Sequence, residues 1–392
     1  MAGLVVIIIL GVYFLLMNVF IPMYVLFTFN PADWEADLAR NNIKVNPENT
    51  WFSSPQFTPD GSHIVYAAAT QVGKVWDNEI GGERRIVAWD IWIMDRDGTN
   101  QTPLTHDGNI SRAMVSPAWD QFAYTHYDSG KISVFVVPTD GAPAVQIAGP
   151  AQFTYFSSWS PDGERMAVTG LDPSDCDAFT LLPDGREIPS AGNISRGRLY
   201  VLGSEWSEPV FTGNVSLNPQ LSAEASFSPD GKQLAFTYDE QERTGIAIAD
   251  LESGTVTRLT DGGSYPRWSP AGDWIAFIEA GTIRVIHPDG SGMKSITHDG
   301  TALSLTWSPK KTLLAYTTED LVSFADLEGT PMLHVTDIEP GPVSWSPDGK
   351  TFTYASIRGG MIRILTPSPA VVNEEEYLYR IITRAKQQLN RT

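Results

Sequence analysis

Cysteine is almost missing from this chain. Cys176 is the only one in 392 residues, so no internal disulfide can hold the fold. Basic residues are scarce too: 27 Lys and Arg stand against 46 Asp and Glu, for a net charge of −19. That balance excludes a surface that tracks nucleic-acid phosphates. The six histidines (His63, His106, His126, His287, His298, His334) are scattered. His106 and His298 sit in Thr-His-Asp-Gly segments and read as turn residues, not as a metal pair. Asp95-Arg-Asp97-Gly98 lacks the ordered acidic spacing and terminal Glu of a calcium loop. No G-x-S-x-G nucleophile elbow is present. These absences point to a non-enzymatic protein with no catalytic residue, no metal and no cofactor.

What the chain does have is a repeat. Trp345-Ser-Pro-Asp-Gly349 has related copies at Phe57-Thr-Pro-Asp-Gly61, Val115-Ser-Pro117, Trp159-Ser-Pro-Asp-Gly163, Phe227-Ser-Pro-Asp-Gly231, Trp268-Ser-Pro-Ala-Gly272 and Trp307-Ser-Pro309. The last four begin about 40 residues apart, a period that marks a repeat architecture. The Pro-Asp-Gly core is turn chemistry: proline fixes φ, Asp bonds nearby backbone, and Gly accepts positive φ. Each turn is followed by a large–small–large triplet, such as Leu234-Ala235-Phe236 or Ile275-Ala276-Phe277. That pattern suits a strand whose two faces pack differently. Later Asp-Gly or Ser-Gly turns separate further strands, as in Ile91–Thr105 and Ile283–Thr297.

Four short antiparallel strands per unit is the arithmetic of a propeller blade. One blade cannot bury both faces, whereas a ring can. The expectation is an all-β propeller of seven four-stranded blades over residues 51–370. The repeated Trp, Pro and Gly are then packing and turn residues.

The Trp-Ser-Pro-Asp-Gly…Ile-Ala-Phe pattern, with its Asp-Gly turns and Leu-Thr endings, resembles the TolB-like propellers, also called WD40-like PD40 repeats. The resemblance runs from about Trp51 to Thr366, and Ile91–Thr105 looks like that family's third and fourth strands. It implies the propeller fold and favours a propeller outside the cytoplasm, periplasmic or extracellular.

Outside the repeats, Leu4–Phe29 carries no charge and is almost wholly apolar. About 20 such residues span a bilayer. A cleavable signal would need a basic start, a shorter apolar run and a small-residue cleavage site, which this segment lacks. Residues 1–30 therefore read as a single transmembrane anchor. Residues 31–50 read as a short helix and linker, with Ile43-Lys44-Val45 as a candidate strand closing the ring. Pro367 and Pro369 argue against a fourth strand at the other end. Residues 371–392 read as a C-terminal amphipathic helix, opened by Asn373-Glu-Glu-Glu376 with an apolar stripe from Leu378 to Leu389.

Two insertions stretch the period, about Thr70–Ala88 and Leu171–Ser195. Insertions in repeat proteins map to loops, where binding residues concentrate. The remaining candidate is the axial mouth. One residue before each motif aromatic stand Gln56, Met114, Ser158, Ser226, Arg267, Thr306 and Ser344. Three before it stand Ser54, Arg112, Phe156, Glu224, Tyr265, Ser304 and Pro342. If strand alternation turns both sets into the channel, Arg112, Glu224, Tyr265 and Arg267 are its candidate binding residues. The functional expectation is a membrane-anchored interaction module that presents its rim and mouth to a protein partner, such as a membrane-complex subunit. The other reading is a propeller that binds or processes a small molecule or glycan in the channel; fold alone does not choose.

Overall fold

The computed structural model describes residues 42–44, 49–77, 82–128, 131–140, 142–147, 153–171, 179–181, 187–189, 197–204, 209–215, 225–240, 243–297, 300–318, 321–329, 331–336, 343–356 and 361–365. One compact unit, Ile43–Pro367, carries the repeats. Met1–Asn42 and Ser368–Thr392 form a second unit, of which Asn42 alone is described.

The repeats fold as antiparallel sheets. The first holds Asn49–Phe57, His63–Asp77, Gly82–Asp95 and Thr102–Pro103 in that order. The sheets begun by Ala225–Phe227, Ser264–Trp268 and Ser304–Trp307 repeat this four-stranded order. The last sheet runs Asn42–Lys44, Met361–Leu365, Phe352–Ser356, Ser344–Trp345, so its outer strand comes from the start of the repeat region.

The blade count differs from the expected seven. The Val115 and Trp159 repeats share one eight-stranded sheet, because Phe153 pairs in parallel with Ile132. Counted as hydrogen-bonded sheets, the propeller has six blades, one of double width. The described residues contain no helix, and so none long and apolar enough to cross a membrane. Leu4–Phe29, the linker helix and residues 371–392 lie outside the described residues.

The triplets explain why neighbouring sheets fit. Ala235 packs in one cluster with Trp268 and Phe277 of the next repeat, and Ala276 with Trp307 and Tyr316 of the one after. Ala123 does the same with Trp159 and Val168, and Ala167 with Phe227 and Phe236. The small middle residue leaves room for the next repeat's aromatics, so each sheet buries both faces against its neighbours. The Leu-Thr endings hold the third strand. Thr105, Thr260 and Thr297 accept the backbone N–H of Ile91, Ile246 and Ile283, each at 2.9 Å.

The described parts of the two insertions are strands. Residues 71–77 pair with 82–87 and prolong the hairpin of the first sheet beyond its inner strand, which stops opposite Thr70. Within the second insertion, Phe179–Leu181 and Glu187–Pro189 form a separate two-stranded hairpin.

Candidate functional site

The motif turns come first, because they set the inner ends of the strands. In four copies the hydroxyl donates to the Asp two residues on: Thr58 to Asp60, Ser160 to Asp162, Ser228 to Asp230 and Ser346 to Asp348. Each Asp also accepts a backbone N–H two residues further along. These bonds favour the carboxylate. Ser62 and Thr58 hold Asp60 down to about 2. Ser228 and Lys232 lower Asp230, and Ser346 and Lys350 lower Asp348. Two copies without Asp at that place recover it two positions later: Ser116 donates to Asp120 and Ser269 to Asp273, both at 2.7 Å. The Trp307 copy reads Ser308-Pro-Lys-Lys, and the buried Ser308 hydroxyl makes no hydrogen bond among the described residues. The motif carboxylates are thus turn locks.

One residue before each motif aromatic, the chain forms a belt that stitches repeat to repeat. Ser226 Oγ accepts the N–H of Trp268 at 3.2 Å, and Ser344 Oγ accepts that of Phe57 at 3.3 Å. Gln56 Oε1 accepts the N–H of Val115 at 3.4 Å, while its Nε2 donates to the carbonyl of Ala113. The carbonyls of the belt serve as well. Trp159 Nε1 donates to Met114 O at 3.1 Å and Trp307 Nε1 to Arg267 O at 3.0 Å. The equivalent indole N–H groups of Trp268 and Trp345 are buried and make no hydrogen bond among the described residues.

Part of this belt opens into a cavity of about 370 Å³. Gln56, Met114, Thr306 and Ser344 line it, with Ser54, Pro55, Trp307, Pro309, Val343, Trp345 and Pro347. These residues come from four consecutive repeats of the closed ring, the last two and the first two, and lie on or beside their inner strands. The wall has a consistent chemistry: aromatic, aliphatic and proline surface with hydroxyl and amide groups, and no ionisable side chain among the described residues. Such a wall suits an uncharged apolar group with a few hydrogen-bonding atoms.

Of the four residues expected at the mouth, Tyr265 and Arg267 are described with their side chains. Arg112 lies on Ile110–Val115, and Glu224 lies outside the described residues. Tyr265 packs against the core of Leu305, Trp307 and Tyr316. Arg267 occupies the belt, and its guanidinium donates to the carbonyl of Pro266 at 2.9 Å. Neither Tyr265 nor Arg267 is among the residues that line the cavity. The inner strands bulge, with register shifts at Ser53/Gln56, Ile110/Ala113, Phe156/Ser158 and Ser264/Arg267. Ser54 and Tyr265 have φ of 51° and 58°. A bulge re-aims the strand locally, yet Ser54, three before the aromatic, and Gln56, one before it, both line the cavity. The signal available in the sequence was the proline after each of these residues, Pro55 and Pro266.

Residues 75–328 match the family model described as the TolB beta propeller domain. The chain belongs to the TolB β-propeller family. Its TolB relatives include the Tol-Pal system protein TolB of Francisella tularensis subsp. mediasiatica, 24% identical over 263 residues. That match covers 57% of this chain and 60% of the relative, so the chain spans about three-fifths of the TolB protein it matches. Dipeptidyl-peptidase 5 of Porphyromonas endodontalis is also 24% identical, over 56% of this chain but 36% of that protein. Among solved structures, an oligogalacturonate lyase in complex with manganese has a TM-score of 0.57 at 14% identity, covering 81% of this chain and 89% of that one. The β-propeller domain of the Trilobed protease from Pyrococcus furiosus has a TM-score of 0.56 at 10% identity, covering 84% and 100%. At these identities the solved structures share the fold alone.

Proposed function

We propose that this TolB-family propeller is a protein-interaction module that receives an uncharged segment of a partner protein at its axial mouth. The observation that carries this reading is the axial cavity, with its neutral wall of Trp307, Trp345, Met114, Val343 and three prolines. Apolar groups buried there lose water on both sides, and the hydroxyls of Ser54, Thr306 and Ser344 are placed to bond a partner's backbone. Arg267 adds positive charge elsewhere on the belt of a chain whose net charge is −19. The match to a Tol-Pal system protein supports placing the chain in a multi-protein assembly. The resemblance supports a propeller outside the cytoplasm.

A photo-crosslinking residue in place of Met114 tests the reading in cells. The expected product is a covalent adduct with one protein, formed from Met114 and not from Val145, which is 50% exposed on an outer strand. Adducts from Val145 alone would move the interface to the rim and overturn the axial reading.

A further inference from the structure

The outer strands of the sheets are unequal. Thr102–Pro103, Val145–Gln146, Val256–Arg258, Lys294–Ser295 and Asn42–Lys44 are two or three residues long. Pro209–Val215 and Pro331–Thr336 are longer. Short outer strands leave little free edge for another chain to pair with, a common protection against edge-to-edge association. Pro331–Thr336 keeps regular register with its neighbour only from Leu321↔Thr336 to Ser323↔His334 before it shifts. Pro209–Val215 is different. From Gly197↔Val215 to Val201↔Phe211 its pairing is unbroken, and the shift comes after that, next to Leu202.

This strand also ends the eight-stranded sheet, so its far edge pairs with no other strand among the described residues. Its sequence, Pro-Val-Phe-Thr-Gly-Asn-Val, contains no charged residue. Edges are commonly guarded by lysine or other charges, and this one is not. Two copies of a chain with net charge −19 repel over most of their surfaces. A charge-free edge is where they can approach without opposing like charges.

The strand is also self-complementary. Run antiparallel against itself about Gly213, it sets Phe211 opposite Val215 of the second copy and Thr212 opposite Asn214, with glycine on the axis. Aromatic–β-branched pairs are among the favourable cross-strand contacts. We propose that Phe211–Val215 pairs with the same strand of a second copy, joining two eight-stranded sheets into one across a two-fold axis. Such an interface is isologous and closes at two copies. A ladder this short buries little area for a permanent dimer, so the association is reversible and depends on concentration.

Sedimentation of the full chain over a dilution series tests this, beside a Thr212→Lys/Asn214→Lys double variant. The wild type is expected to pass from dimer to monomer on dilution. The variant, which places lysines across the axis, is expected to stay monomeric with an unchanged unfolding midpoint. A wild type that is monomeric throughout overturns the proposal, and so does a variant that dimerises as the wild type does. Hydrogen exchange separates a further case: amides 211–215 protected equally in a monomer would put a segment of the chain itself on the edge, which also overturns it.

Discussion

Ser344 Oγ accepts a hydrogen bond from the backbone N–H of Phe57 at 3.3 Å, across 287 residues of sequence. It is the bond that Ser226 makes to Trp268, repeated at the place where the last repeat meets the first. The ring is therefore joined near its axis by the same chemistry as every other seam of this kind. Ser344→Ala should cost about 1 kcal/mol, the usual net worth of such a bond. Ser226→Ala should cost a similar amount. Urea denaturation of the two variants checks this; a loss at Ser226 alone would mean that the closing seam does not carry the bond.

Trp307 and Trp345 occupy equivalent positions, yet only the indole of Trp307 donates to the preceding repeat. Trp307→Phe should lose that bond, at a cost of about 1 kcal/mol beyond the lost packing. Trp345→Phe loses packing and no bond, so it should be the milder change. Thermal unfolding of both variants gives the comparison, and equal losses would contradict it.

Acid should unfold the propeller in part through its turns. Hydrogen bonds to Ser62 and Thr58 hold Asp60 at about 2, below its ordinary 3.8. A carboxyl whose folded value is depressed contributes stability that is full above the unfolded value and lost as pH falls through the folded one. Asp230 and Asp348 shift in the same direction through Ser228 and Ser346. Stability should therefore fall from about pH 4 towards pH 2. Asp60→Ala should flatten that limb while lowering stability at neutral pH. The group is largely exposed, so the effect is modest. Unfolding midpoints measured across this range decide it; an unchanged slope in the variant would contradict the assignment.

Gly61 has φ of +70°, and a Cβ there would stand 3.3 Å from Cδ of Pro347 in the last repeat. Gly254 has φ of +71° with nothing within 4 Å. Gly61→Ala should therefore destabilise more than Gly254→Ala, because it adds a tight contact to the same backbone strain of roughly 1 kcal/mol. Matched denaturation curves test the order.

The sequence spoke most clearly where one residue type has one local job. Pro-Asp-Gly turns, large–small–large triplets and Leu-Thr endings could be read directly, because proline φ, a capping hydroxyl and an alanine beside an aromatic act over short range. The positions one before each aromatic could be placed together, but their bonds to the next repeat could not, because those bonds cross between repeats. Bulges were not legible: they depend on how Ser54-Pro55 and Tyr265-Pro266 meet their partner strands. The merging of two repeats rests on a single long-range pair, Phe153↔Ile132, which no local pattern encodes. Five of the positions read onto the channel face, Ser54, Gln56, Met114, Thr306 and Ser344, line the cavity, but binding was sought in charged groups, whereas these five are neutral.

Arg267 remains the charged residue of the belt. Arg267→Glu is expected to weaken partner binding by about 1–2 kcal/mol, as for an interface arginine of moderate weight. The unfolding midpoint should hardly move. Lost stability with binding retained would instead make Arg267 a structural residue that supports Pro266 and the Trp307 seam.

The central claim is that the neutral axial cavity takes up the partner. The most direct measurement is the affinity of the crosslinked partner, once identified, for the wild type and for Met114→Lys. A lysine there puts a charge into a wall that has none, and burying an unpaired charge is costly. The account predicts binding weakened about tenfold or more, with the unfolding midpoint unchanged. Wild-type affinity in Met114→Lys would contradict it.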